Sequence, residues 1–248
     1  MMYNWTVQKL RWSRRESQRR SRRMDVRCGS LEGYGVRYGW IDEYLLQKRS
    51  VTKDFQPDWN WIRYHIGGKM FAAICLDDGG RPVLITLKLD PAEGEFLRAQ
   101  YADILPGYYM DKRCWNSVKP DGQVPDALLK TLLDKSYRLV LRGFSKARQR
   151  EILGISPCGA ECEACPLHGA TCAGCNALRG KVFHAPEGKA CPLYACPVQK
   201  HRYATCGECP LLPCETWRAT RDPNLTDAAF EESVTLRVQR LRGDGEAR

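Results

Sequence analysis

The residues best suited to chemistry in this chain are thiols. Ten of its thirteen cysteines fall between positions 158 and 214: Cys158, Cys162, Cys165, Cys172, Cys175, Cys191, Cys196, Cys206, Cys209 and Cys214. Their spacing reads C-x3-C-x2-C-x6-C-x2-C-x15-C-x4-C-x9-C-x2-C-x4-C, with three C-x2-C knuckles. Two residues between thiolates let both sulfurs of one tight turn reach the same tetrahedral ion at about 2.3 Å, the arrangement of structural zinc sites. Gly174 and Gly207 sit inside two of those turns, where a side chain would crowd amides folding back towards sulfur.

Ten thiols could instead build a disulfide scaffold, but that chemistry belongs to an oxidising compartment. Residues 1 to 30 hold no apolar stretch of the roughly 7 to 15 residues that an export signal needs. A metal module in a reducing, cytoplasmic setting is the expectation. Zinc, as two ions, is the first reading. An iron–sulfur cluster is the alternative, because Cys165-Pro166, Cys191-Pro192, Cys196-Pro197 and Cys209-Pro210 resemble the Cys-Pro of ferredoxins. The C-x3-C-x2-C run at Cys158, Cys162 and Cys165 is also that of radical enzymes using S-adenosylmethionine, yet no βα alternation is present to build their barrel. Sequence proximity puts Cys162, Cys165, Cys172 and Cys175 on one ion and Cys191, Cys196, Cys206 and Cys209 on the other, leaving Cys158 and Cys214 spare. His168, His184 and His201 are near enough in sequence to replace a cysteine.

The net charge of +10 raises a second chemistry, nucleic-acid binding. Its distribution weakens that signal: residues 1 to 30 carry +7, residues 31 to 150 carry +4 and residues 151 to 248 carry −1. Three readings of the arm over residues 1 to 35 stay open: a nucleic-acid-binding extension, an organelle transit peptide, or sequence preceding a start at Met24. The longest apolar run, Met70 to Leu76, is far short of the roughly 18 to 20 residues that span a bilayer, so no membrane partner is expected. Within residues 36 to 150 the candidates for phosphate and base contacts are Lys69, Lys88, Lys112, Arg113 and Lys119, with Trp115 and Trp61 as aromatics. No helix-turn-helix spacing accompanies them.

The elements that must position these groups follow from periodicity. Residues 39 to 49 read as an amphipathic helix through Trp40, Ile41, Tyr44 and Leu45. Ile62, Tyr64 and Ile66 alternate with Arg63 and His65, Gly67-Gly68 turns the chain into Lys69 to Leu76, and Asp77 to Gly80 turns it again into Pro82 to Leu87. These three strands are too closely spaced for a parallel crossover, so they form an antiparallel meander. A helix over Pro91 to Gln100 starts with Pro at its first position. Short strands are expected at Gly107 to Met110 and Cys114 to Lys119, then a helix from about Pro125 to Phe144 with Leu128, Leu129, Leu132, Leu133, Tyr137 and Val140 on one side. Beyond the thiols, Thr226 caps a helix whose stripe is Phe230, Val234, Val238 and Leu241. The fold class is therefore α+β, an antiparallel sheet flanked by helices over 36–150, followed over 154–248 by a small metal-stabilised cysteine-rich domain of helices and loops.

Gly68-Lys69-Met70-Phe71-Ala72, Leu87-Lys88-Leu89-Asp90, Pro106 to Met110, Trp115-Asn116-Ser117-Val118 and Asp134-Lys135-Ser136-Tyr137 follow one another as in the MmcQ/YjbR-like proteins, which this unit resembles over about 115 residues. The resemblance implies a CyaY-like (frataxin-like) fold and DNA binding. The thiol segment, through Cys158-Gly159-Ala160, Cys172-Ala173-Gly174-Cys175 and Cys206-Gly207-Glu208-Cys209-Pro210, resembles a bacterial and archaeal cysteine-rich family suspected of binding zinc. Together these predict a DNA-binding or accessory regulatory protein without catalysis. The rivals are a metal- or thiol-dependent enzyme and a scaffold that meets a protein partner through its cysteine-rich part. Closed four-thiolate sites leave no position for water, which disfavours the enzyme.

Overall fold

The computed structural model describes residues 38–162 and 164–242. The basic arm expected over residues 1–35, with Met24, lies outside the described residues. The elements run α1 (Ile41–Leu46), β1 (Val51–Gln56), β2 (Trp61–Ile66), β3 (Lys69–Leu76), β4 (Pro82–Lys88), α2 (Pro91–Gln100), β5 (Ile104–Pro106), β6 (Trp115–Val118), α3 (Asp126–Arg142) and α4 (Lys146–Leu153). The sheet order is β1-β2-β3-β4-β6-β5 with every pairing antiparallel, so the architecture is α+β.

Local chemistry accounts for most of these boundaries. Gly67 and Gly68 take φ of 56° and 82°, the left-handed pair that a two-residue hairpin between β2 and β3 requires. Asp90 caps α2 by accepting from Ala92 N at 3.0 Å, with Pro91 at the first position. Two strand expectations change. The strand expected at Gly107 to Met110 is instead Ile104–Pro106, and Tyr109 sits in the following turn at φ 56°. An unanticipated strand, β1, sits at the sheet edge, where its Lys53 pairs at 2.9 Å with the buried Asp42 of α1.

The two faces of the sheet differ. Phe71, Ile74, Ile85, Leu87 and Val118 point to one side, where Ile41 and Leu45 of α1, Leu97 of α2, Leu129, Leu132 and Leu133 of α3 and Ile152 of α4 complete a buried core. All four helices therefore contribute to the same face. At its centre Ser136 of α3, wholly buried, accepts from Lys88 N at 2.8 Å and donates to Phe71 O at 2.5 Å.

The thiol segment forms a second core. Its elements are α5 (Gly174–Ala177), α6 (Pro192–Tyr194), a π-turn (Ala195–Lys200), a 3-10 turn (Cys206–Glu208), α7 (Glu215–Ala219) and α8 (Asp227–Arg242). Val182, Leu193, Tyr194, Leu212, Trp217, Phe230 and Val234 pack here with Cys191 and Cys206. Thr226 accepts from Ala229 N at 3.3 Å at the head of α8. Added Cβ atoms on Gly159 and Gly207 would come within 2.7 Å of Arg237 O and 2.4 Å of Leu241 O, so α8 lies directly against both of those turns. Polar contacts tie the two units: Glu161 with Arg49, and Lys146 with Glu208 at 2.6 Å. No helix among the described residues is long and apolar enough to cross a membrane.

Candidate functional site

The ten thiols are free and divide between two cavities. Cys158, Cys162, Cys165, Cys172, Cys175 and Cys191, with His168, line a cavity of about 760 Å³. Cys196, Cys206, Cys209 and Cys214 line another of about 20 Å³. This grouping differs from the one that sequence proximity suggests: Cys191 stands with the first set and Cys214 with the second. His168 is at the first cavity and His201 at the second. His184 lines the first as well. Among the described residues no three His, Cys, Asp or Glu side chains are gathered tightly enough to hold an ion as they stand.

Several donors are aimed at sulfur. Gly174 N lies 3.4 Å from Cys172 Sγ, and the left-handed φ of Gly174, 84°, brings its backbone beside Cys162 and His168. Burial raises the Cys162 thiol pKa, while the Cys175 amide lowers it. Burial likewise raises Cys191, opposed by the amides of Leu193 and Tyr194. Burial pushes Cys175 up to about 12, reinforced by neighbouring thiols led by Cys158. Cys206 is also pushed up to about 12 by burial, with the Trp217 indole N–H acting in the opposite sense. Buried apolar walls favour the neutral thiol, and amide or indole donors favour the thiolate.

The second place of interest is the sheet face that no helix among the described residues covers. Directly opposed residues of antiparallel strands share a face, so one row crosses this side as Asp54, Arg63, Ala73, Thr86 and Ser117. The next row holds Trp61, Cys75 and Leu84, and Lys88 is opposite Trp115. The floor is made of small residues: Thr86 and Ser117 share a hydrogen bond at 3.0 Å, and Cys75 contacts Thr86 at 3.7 Å. Burial takes the Cys75 thiol to about 11, so it stays protonated at neutral pH. Trp61, Met70, Leu84 and Met110 close over Ala73 and Cys75.

The rim of that face is aromatic and exposed. Trp59 is 54% exposed, Tyr108 51% and Tyr109 83%. Trp59 meets Trp61 edge-on at 5.7 Å, and the Arg63 guanidinium lies 5.7 Å from the Trp59 ring. Tyr108 and Tyr109 are tilted together at 4.2 Å, with Tyr108 N donating to Ser117 Oγ at 3.4 Å. The left-handed Asn60 turn and the left-handed Tyr109 turn present these rings.

The sequence-predicted cations are only partly assembled here. Lys88 is on this face and acts electrostatically on Asp111, whose loop also carries exposed Lys112. Trp115 is on it too, but buried. Arg113 is held by Asp111 at 2.9 Å, which keeps that carboxyl below the usual range. Lys69 is elsewhere, at the β2–β3 hairpin tip with its ammonium 4.2 Å from the Phe144 ring. Lys119 pairs with Asp103 at 3.4 Å beyond the end of β6. Trp59, Arg63, Tyr108 and Tyr109 join this rim and are not among the sequence-predicted candidates. Their signal is two aromatic pairs, Trp59-x-Trp61 and Tyr108-Tyr109, each beside a turn.

Comparison with known proteins matches the YjbR family model over residues 46–139, ending before the thiols. Uncharacterized protein YbdF of Escherichia coli O157:H7 is 37% identical over 98 residues, covering 40% of this chain and 77% of that protein. Uncharacterized protein YjbR of Escherichia coli K12 is 29% identical over 96 residues, covering 39% of this chain and 80% of its own. Among solved structures, Deinococcus radiodurans protein DR2400, of family-model domain DUF419, is 33% identical with a TM-score of 0.41, covering 46% of this chain and 85% of that one.

Proposed function

The chain belongs to the YjbR family, and from that premise we propose that its uncovered sheet face binds single-stranded DNA. The observation that carries this reading is the exposed ring set Trp59, Tyr108 and Tyr109 around a floor of small residues, with Arg63, Lys88 and Lys112 at the rim. Every base offers a π-face, so a platform of exposed rings accepts a strand without reading its sequence. Duplex DNA hides those faces in its stack. Two of the nearby arginines are already paired, Arg63 with Asp54 at 2.7 Å and Arg113 with Asp111. Phosphate attraction is therefore modest, and stacking carries most of the affinity.

The test is a fluorescence anisotropy titration of the full chain with a labelled single-stranded oligonucleotide and with its duplex, at several salt concentrations. Trp59→Ala and Tyr109→Ala should each remove about 1–3 kcal/mol, a weakening of about 5- to 150-fold. Because every variant retains the basic residues 1 to 30, their contribution cancels in the comparison. Lys88→Gln should reduce the salt slope by about 0.7, the value for one phosphate of a single strand that is no longer neutralised. Equal affinity for duplex, or unchanged affinity in both ring variants, would overturn the reading.

A further inference from the structure

The small thiol cavity has features that a chance cluster of cysteines lacks. Its volume of about 20 Å³ is room for one water-sized species. Four cysteines line it from three different places: Cys196 in the π-turn, Cys206 and Cys209 at the start and C-cap of the 3-10 turn, and Cys214 at the head of α7. The Cys206–Cys209 knuckle is closed by Cys209 N donating to Cys206 O at 2.9 Å, with Thr205 Oγ1 accepting from Gly207 N at 3.2 Å. Leu193, Pro197 and Leu212 supply apolar wall.

A second observation concerns a donor buried against the cavity. The Trp217 indole is 2% exposed, no N or O atom among the described residues accepts from its Nε1–H, and the group it faces is the Cys206 sulfur. It lines the same cavity as Cys206, within reach of that sulfur. Positive charge is close as well. Arg237 of α8 lies 4.3 Å over the Trp217 ring, and Arg242 donates to Leu212 O at 2.6 Å. Four thiolates on a divalent cation leave a net charge of −2, which favours a neighbouring cation such as Arg242 at the Leu212 wall.

We infer that Cys196, Cys206, Cys209 and Cys214 together hold one zinc ion, and that Cys191, their near neighbour in sequence, belongs to the other thiol group. Four thiolates complete a tetrahedral shell and leave no position for water, so the ion is structural. Binding releases the thiol protons to solvent and draws the sulfurs in to about 2.3 Å. Trp217 then acts as a positioning residue, donating to the Cys206 ligand. Donors of this kind shift metal affinity by about 10- to 100-fold. The ion ties α7, the π-turn and the Cys206 knuckle, on which α8 rests, into one unit. This inference is independent of the DNA reading.

The test is differential alkylation of the full chain purified with zinc, read cysteine by cysteine in a mass spectrometer with Cys114 as the unclustered reference, alongside elemental analysis. Cys196, Cys206, Cys209 and Cys214 should be protected together and become reactive together when a chelator is added. Cys214→Ser should lose one zinc per chain, whereas Cys191→Ser should leave those four protected. Trp217→Phe should keep the zinc count but lose it to a competing chelator at an affinity about 10- to 100-fold weaker. Cys214 reacting at the rate of Cys114 in the zinc-loaded chain, or Cys191→Ser exposing Cys196, Cys206 and Cys209, would overturn the grouping. Iron in place of zinc would overturn the ion. Should Cys214→Ser fail to fold, protection in the unsubstituted chain decides alone.

Discussion

Replacing Ser136 by Ala removes one oxygen from the centre of the first core. That oxygen serves two backbone groups that the sheet leaves without ladder partners. In the β2–β3 register Tyr64 is opposite Ala72 and His65 opposite Met70, so Phe71 is the extra residue of a bulge. The β3–β4 ladder begins at Ala72 opposite Leu87, so the Lys88 amide lies one residue beyond it. Ser136 accepts from that amide at 2.8 Å and donates to the Phe71 carbonyl at 2.5 Å, at full burial. The methyl group of Ala leaves both unmade, at about 1–3 kcal/mol each. The expected loss is about 2–6 kcal/mol, a large part of a stability of about 5–15 kcal/mol. Urea unfolding followed by tryptophan fluorescence measures it as a fall in midpoint with an unchanged slope. Ser136→Thr, which keeps the hydroxyl, should recover part of the loss. A change below about 0.5 kcal/mol in Ser136→Ala, the range of an ordinary surface substitution, would refute the bridging role.

Two further substitutions probe other parts of the fold. Gly207→Ala places a Cβ 2.4 Å from the Leu241 carbonyl oxygen, a backbone atom that cannot swing aside, so the end of α8 must lift. Limited trypsin digestion should then cut faster after Arg240 and Arg242, and an unchanged cutting rate would mean that α8 does not rest on the knuckle. His65 lies on the uncovered sheet face, where burial lowers its pKa and Asp54 at 3.9 Å opposes that shift. A folded-state pKa below the unfolded value of about 6.5 gives stability that is present above that pH and lost as pH falls through the folded value. Asp54, held low first by its hydrogen bond from Arg63, acts with the same sign at more acid pH. His65→Gln should therefore lose less stability than the unsubstituted chain on acidification from about pH 6.5, and identical pH profiles would contradict this.

The strands that were legible in the sequence are those whose alternation is uninterrupted. Ile62, Tyr64 and Ile66 alternate cleanly, and Gly67-Gly68 marks the turn with the one residue type that takes left-handed φ without strain. β1 was hidden because its inward position is Lys53, a residue that reads as solvent-facing until Asp42 is found beside it. That partner lies on α1, and no local pattern reports a charge pair formed across elements. Gly107 to Met110 read as a strand for the opposite reason. Its aromatic residues have strand propensity, but Tyr109 takes positive φ and the rings stay exposed. The propensity reflected a surface that displays rings, not a ladder that buries them.

The thiols show a sharper limit. Spacing along the chain tells which sulfurs share one turn, because two intervening residues fix the separation of their Cα atoms. It does not tell which turns share a cavity. Cys191 and Cys196 are separated by four residues, yet α6 and the π-turn carry them to different cavities. Cys158 lies far from Cys191 in sequence, yet each belongs to the six-thiol group. What joins distant turns is the second core, in which Trp217, Phe230 and Val234 bring α7 and α8 against the segments that carry the cysteines. The distribution of sulfur between the two cavities is therefore a property of packing, encoded by apolar residues that carry no metal chemistry of their own. A substitution at Phe230 or Val234 should thus disturb thiol protection at several cysteines at once, whereas a substitution within one knuckle should disturb only the set to which that knuckle belongs.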